Sequence, residues 1–155
     1  MEAELREMAA RDGQSIVLEG HCEGARLAEL YRNAAFVVVP SEWYENAPMA
    51  VLEAFAYGKP VIGTRIGGIP ELITEGEHGY LVDCEAPEQL RTTVRKLLSD
   101  KNAQETMGRN ARNLIETKFG QNNRMASLVN IYESVCRSSG QAPYATELLA
   151  PSIAD

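Results

Sequence analysis

The sequence predicts a parallel α/β fold with helices on both faces of the sheet, and three observations carry that prediction. Short apolar runs such as Ala35–Val39 and Pro60–Gly63 alternate with longer segments of helical periodicity, the pattern of strands joined by crossover helices. The runs are nearly continuous in Val and Ile, as strands covered on both faces require. Glycine and proline punctuate the junctions, at Pro40, Pro48, Gly58, Pro60 and Gly79, where they stop one element and start the next.

Taken in order, Met1–Ala10 reads as a helix with Leu5, Met8 and Ala9 on one face. Ser15–Leu18 reads as a short strand ending at Glu19-Gly20, and a turn through Gly24 leads into a helix over Ala25–Asn33 with Leu27, Leu30, Tyr31 and Ala34 on its core side. The strand Ala35–Val39 stops at Pro40. Pro48 suits a first helical turn because of its fixed φ, and the helix it opens runs to Tyr57 with Gly58 as a left-handed cap. Pro60–Gly63 is the next buried strand. Gly67-Gly68-Ile69-Pro70-Glu71 again sets a flexible turn, a proline and an acidic residue at a helix start, and Gly79–Val82 is a last short strand. Helices follow over Pro87–Ser99, Lys101–Thr117 and Gln121–Val135, the last with an apolar stripe of Leu128, Ile131, Tyr132 and Val135. Residues 1–137 form one domain. Residues 138–155, rich in Ser, Ala and Pro, read as a tail, and no internal repeat is visible.

Bulk properties narrow the function classes. A chain of 155 residues with 45% hydrophobic content can build a real core, and 24% charged residues suits a soluble protein. The longest apolar run falls well short of the roughly 18 residues of a spanning helix, and no signal peptide begins at Met1, so a cytoplasmic location is expected. Cys22, Cys84 and Cys136 are odd in number and lack a C-x-x-C spacing, which reads as reduced thiols rather than disulfides or a zinc site. A net charge of −7 argues against nucleic acid as a partner. It leaves room for a phosphate ligand, because a few backbone amides and one or two basic side chains suffice locally.

The stretch Pro40-Ser41-Glu42-Trp43-Tyr44-Glu45-Asn46-Ala47-Pro48, with Glu53 beyond it, is the most informative. Glu45 falls in a strand-to-helix loop and Glu53 about one and a half turns into the following helix. Two carboxylates and a helix N-terminus therefore converge outside the carboxyl ends of the strands, where open α/β sheets bind ligands. The helix end offers unpaired N–H groups and partial positive charge to phosphate, while the carboxylates accept hydrogen bonds from hydroxyls or stabilise positive charge. That combination suits a sugar diphosphate.

Plainer readings stand beside this one. Glu45 also favours the adjacent helix dipole, and Glu53 also reads as a surface residue. Gly67 and Gly68 read either as part of the substrate loop or as a turn alone. Arg65, at a strand's carboxyl end, is the better phosphate candidate than Lys59, with a salt bridge as its alternative. Trp43 and Tyr44 read as packing or as a wall on the acceptor side, and His78 as structural.

The same residues resemble a known family. Pro40-Ser41, Glu45 and Glu53 with seven residues between, and Ala54-Phe55-Ala56-Tyr57-Gly58-Lys59-Pro60-Val61-Ile62 look like the donor-binding half of family 4 retaining glycosyltransferases. Gly67-Gly68-Ile69-Pro70-Glu71, His78-Gly79-Tyr80-Leu81-Val82, Met107-Gly108-Arg109-Asn110-Ala111-Arg112 and Ile131-Tyr132 continue the match in order, so that it runs from about Glu2 to Val135. The resemblance implies the C-terminal, Rossmann-like half of a two-domain GT-B fold, binding a nucleoside diphosphate sugar. It implies that Glu53 grips the ribose hydroxyls and that Glu45, the candidate catalytic residue, lies beside the donor sugar. The backbone of Asn46, Ala47, Pro48 and Met49 would lie along the diphosphate, with N–H groups from Asn46, Ala47, Met49 and Ala50 because Pro48 has none. The backbone at His21 would line the nucleobase pocket. No cofactor and no metal ion is expected, the helix dipole and basic side chains taking the metal's part. The sequence agrees in part: it contains no His/Asp/Cys cluster with ligand spacing.

Two departures matter. Many relatives carry Glu-Gly-Phe-Gly where this chain has Glu45-Asn46-Ala47-Pro48, and the family's Arg and Lys that neutralise the leaving diphosphate lie upstream of Met1. So do the acceptor domain and the first two strands of the donor domain. Those strands belong between the strand at Ser15–Leu18 and the strand at Ala35–Val39, whose edges would otherwise stand open. The expectation is that the two strands pair directly or that another copy, or the N-terminal portion, supplies the edge, and that these residues alone transfer no sugar. Any membrane association would come through the upstream part. A non-catalytic nucleotide-binding or assembly module with the same fold is the alternative to a transferase.

Overall fold

The computed structural model describes the backbone of residues 2–11 and 16–138, with side chains for 4–11, 16–120 and 125–138. Val61-Ile62-Gly63-Thr64 is buried along its whole length, which is possible only for a central strand covered on both faces. It is the middle strand of a three-stranded parallel sheet formed by β1 (Val37–Val39), β2 (Val61–Thr64) and β3 (Gly79–Val82), in the order β1-β2-β3. Val37 lies opposite Val61 on one side of β2, and Gly79 lies opposite Val61 on the other. The helices are α1 (Glu2–Arg11), α2 (Gly24–Asn33), α3 (Met49–Ala56), α4 (Ile69–Leu72), α5 (Pro87–Ser99), α6 (Lys101–Lys118) and α7 (Gln121–Ser138). The predicted alternation of strands and helices, with helices on both faces, is what forms.

Alternate residues of β2 feed two cores. Val61 packs with Val51 and Phe55 of α3, Ile69 of α4, Leu81 and Ala111. Ile62 packs on the other face with Val82, Leu97 of α5 and Met107 of α6. Period-two alternation in one strand thus assigns α3 and α4 to one face and α5 to the other, with α6 reaching both. Leu114 and Ile115 add partly buried cover to the first core, alongside Tyr31 of α2.

Several boundaries differ from expectation for local reasons. β1 begins at Val37 rather than Ala35, because the Val37 N–H donates the first ladder bond, to the Pro60 carbonyl at 3.0 Å. Pro48 stands just outside α3, with φ −68° and ψ 95°, and its carbonyl accepts from the Val51 N–H at 3.0 Å. The helix started at Gly67-Gly68 is a single turn. Gly58 takes the left-handed conformation expected of it, φ +66°. The stripes read on α1 (Leu5, Met8) and α7 (Leu128, Ile131, Tyr132, Val135) exist, but these side chains are exposed. Ser138, assigned to the tail, is the last residue of α7, and 139–155 lie outside the described residues.

The strand expected at Ser15–Leu18 is the clearest correction. Ser15 lies outside the described residues, and residues 16–18 form no strand. Ile16, Val17 and Leu18 are exposed. They do not pair with β1, whose outer edge has no strand beside it among the described residues. Apolar and β-branched composition favours an extended backbone, but a strand exists only through a neighbour's hydrogen bonds, and none from the described residues reaches this segment.

His78 closes the turn before β3. Its Nδ1 accepts the Thr74 N–H at 3.2 Å and its own N–H donates to the Thr74 carbonyl at 3.0 Å. The ring is buried 5.8 Å from that of Phe55. Burial holds the imidazole below its ordinary value, Glu77 opposing and Lys118 adding to the effect. The unfolded chain therefore binds a proton more readily than the folded one. Stability from the neutral ring is complete above the unfolded value of about 6.5 and is lost as pH falls below it toward the folded value. Urea titrations between about pH 5 and 7 should show this loss, and His78→Gln should flatten it; an equal slope in both proteins would refute the assignment.

Candidate functional site

Proline ends β1 because it cannot donate to a ladder, and the chain leaves the sheet at Pro40. The Ser41 carbonyl is then tied to the ends of the other two strands. It accepts the Thr64 Oγ1 hydroxyl at 2.6 Å and the Cys84 thiol at 3.9 Å. The Ser41 hydroxyl accepts the Trp43 N–H at 3.3 Å and donates to Glu45 Oε1 at 3.0 Å. The Gly68 N–H donates to the Glu45 carbonyl at 2.7 Å. A Cβ at Gly67 would lie 2.8 Å from Glu45 backbone atoms, and one at Gly68 would lie 2.5 Å from the Asn46 carbonyl oxygen. The glycine pair therefore lets the β2–α4 turn press against the β1–α3 loop, backbone to backbone. Glu45 is held at its main chain while its side chain faces solvent.

The N-terminus of α3 lies beside that loop. Pro48 is buried, whereas Met49 and Ala50 are exposed. Among the described residues, no carbonyl or side chain takes the N–H of Asn46, Ala47, Met49 or Ala50. These are the donors a helix start leaves over. Glu53, in the second turn, is half-buried and accepts the Tyr31 hydroxyl at Oε2, 3.1 Å away. Tyr31 stacks on Tyr57 with ring centroids 5.3 Å apart and planes 5° from parallel. Burial, with help from Glu53, pushes the Tyr31 phenol up to about 12.

Of the remaining candidates, Arg65 and His21 already face carboxylates, while Trp43 and Tyr44 belong to the Glu45 loop itself. Arg65 Nη2 lies 3.3 Å from Glu75 and Nε 3.5 Å from Asp83, so its charge is countered by two carboxylates. His21 is exposed, with Nε2 2.8 Å from Glu23. Trp43 and Tyr44 are 80% and 85% exposed. No group of three metal-ligating side chains occurs among the described residues. A recess of about 420 Å³ between the end of α3 and α6, lined by Gly58, Gly108, Arg109 and Arg112 among others, opens at the amino ends of the strands, away from Glu45. Sequence reasoning places Tyr31 in the core and assigns no role to Thr64 or Cys84. Their partners are 22, 23 and 43 residues away, and no local spacing signals such contacts.

A family model described as "Glycosyl transferases group 1" matches residues 2–114. The chain belongs to the group 1 glycosyl transferases. It is 34% identical to the N-acetyl-alpha-D-glucosaminyl L-malate synthase of Bacillus anthracis over 72% of this chain and 29% of that protein. The C-terminal domain of a group 1 glycosyl transferase from Francisella tularensis superposes with a TM-score of 0.67 at 28% identity, covering 77% of this chain and 63% of that one. The Anabaena protein HepE in complex with UDP-glucose shares the fold, with a TM-score of 0.68 at 22% identity over 81% of this chain and 36% of that one. The chain spans about a third of the length of the curated relatives it matches. In this group 1 glycosyl transferase domain, the Glu45 loop and the start of α3 stand at the carboxyl ends of the strands. No helix among the described residues is long and apolar enough to cross a membrane.

Proposed function

We propose that this chain is the donor-binding domain of a retaining, family 4 glycosyltransferase that moves a sugar from a nucleoside diphosphate to a glycan, lipid or small-molecule acceptor. One observation carries the reading. The N–H groups of Asn46, Ala47, Met49 and Ala50 lack protein partners among the described residues and lie between Glu45 and Glu53 along the chain, at the sheet's carboxyl edge. Such a helix start attracts a diphosphate. Glu53, steadied by Tyr31, accepts hydrogen bonds from ribose hydroxyls, and exposed Glu45 faces the donor sugar and its developing positive charge. UDP-glucose bound to HepE supports a nucleotide sugar as ligand. This reading requires no metal ion, because the free N–H groups at the start of α3 offer positive potential to the diphosphate, and it assigns the protein to the cytoplasm.

Binding separates this reading from a plain surface role for Glu53. Charge-assisted hydrogen bonds are worth about 1.5–3 kcal/mol, so Glu53→Gln should weaken nucleoside diphosphate binding roughly ten- to a hundredfold. Calorimetry on the intact protein with uridine, guanosine and adenosine diphosphates measures it, and an unchanged dissociation constant would remove Glu53 from the site. Arg65, occupied by Glu75 and Asp83, favours the second reading, a nucleotide-binding module without catalysis. Diphosphate binding with no sugar transfer by the intact protein is its signature.

A further inference from the structure

The contact between α2 and α3 reaches further than packing. Glu53 occupies a half-buried position from which a glutamate side chain, with three rotatable torsions, would sample several directions. One of its oxygens, Oε2, is held by the Tyr31 hydroxyl at 3.1 Å. The Tyr31 ring is itself held. It lies flat against Tyr57 at 5.3 Å, and the Arg32 guanidinium sits 5.6 Å from the Tyr57 ring centre. Tyr57 caps the end of α3, where its N–H donates to the Glu53 carbonyl at 3.1 Å. The contacts thus form a closed circuit: the helix that carries Glu53 also carries the ring that fixes the tyrosine that fixes Glu53.

We propose that Tyr31 is a positioning residue for the donor site: it restrains the Glu53 carboxylate by its Oε2 and leaves Oε1 directed to ligand hydroxyls. The inference rests on Glu53 binding the nucleotide, as argued above. A carboxylate oxygen accepts more than one hydrogen bond, so the phenol need not leave when a ligand arrives. Like any phenol it remains a donor throughout the neutral range, and burial with Glu53 nearby pushes it further up, to about 12. Restraining the acceptor before binding removes an ordering cost that a loose glutamate would meet on each encounter.

The test is a double-mutant cycle on the intact protein with Tyr31→Phe and Glu53→Ala. It is read by calorimetry with whichever of uridine, guanosine and adenosine diphosphate binds the wild type most tightly, and by donor KM and kcat. Tyr31→Phe keeps the ring and its stack on Tyr57 and deletes only the hydroxyl. It should weaken diphosphate binding and raise donor KM about three- to tenfold, with kcat at saturating donor unchanged. In the Glu53→Ala background the same change should cost less than about twofold, because its target is gone. Equal losses in both backgrounds would make Tyr31 merely structural, and no loss in either would remove its role; each result overturns the inference alone. Unchanged binding by Glu53→Ala by itself would overturn the donor-site reading and the inference together.

Discussion

Glu45→Gln is expected to reduce kcat by about a hundredfold or more while barely changing stability. The main chain of residue 45 is held by the Gly68 N–H, which donates to its carbonyl, and the substitution leaves that bond intact. The Ser41 hydroxyl, now 3.0 Å from Oε1, finds an amide oxygen in the same place. What disappears is the negative charge, on an exposed side chain with no cation paired to it among the described residues. Surface substitutions of this kind stay within about 0.5 kcal/mol, which for a chain of this size moves Tm by roughly 2 °C or less. On the donor-site reading proposed above, that charge lies beside a sugar that becomes electron-deficient in the transition state, so its loss acts on turnover instead. The opposing view is that Glu45 serves the α3 dipole, worth about 0.3–1 kcal/mol. Thermal melts and steady-state kinetics on the intact protein decide: a lowered Tm with normal turnover per folded molecule favours the dipole.

Gly79→Ala is expected to cost roughly 3 kcal/mol or more, a large part of the stability of a single domain. A Cβ at this position would lie 1.8 Å from the Val61 carbonyl oxygen and 2.9 Å from its nitrogen. The obstacle is the backbone of the central strand, which no rotamer change can move aside. Val61 also donates its N–H to the His78 carbonyl at 3.2 Å, and Gly76 donates to the Gly79 carbonyl at 2.8 Å. Making room for a methyl group therefore means separating β2 from β3 at the start of their ladder and opening the core above Val61. Gly76 provides the control. It has φ +80°, but a Cβ there would meet nothing within 4 Å, so Gly76→Ala should cost only the left-handed penalty of about 1–2 kcal/mol. Urea unfolding of both variants should rank Gly79 well above Gly76. Matching midpoints would mean that the strands separate more easily than their register indicates.

The order of elements was legible because its signals are local. Val-rich runs, a helical period and glycine or proline at the joints lie within a few residues of the structure they encode, and β3 and α5 fall where the sequence predicts them. Glu45 and Glu53 were legible for the same reason: a strand, a loop and a helix N-terminus in succession put them at the sheet's carboxyl edge. Other features depended on the fold itself. Whether Ile16–Leu18 becomes a strand depends on a neighbour's hydrogen bonds, which its own composition cannot supply. Whether Arg65 meets phosphate or carboxylate depends on Glu75 and Asp83, brought to it by the turns before and after β3. Gly67 and Gly68 looked like a flexible turn, yet the fold uses their missing side chains to seat one loop on another. Tyr31 has the spacing of a core residue, and only the packing of α2 on α3 turns its hydroxyl toward Glu53. Periodicity along a chain specifies which face a residue occupies; which atom it meets there is decided by distances between segments far apart in sequence.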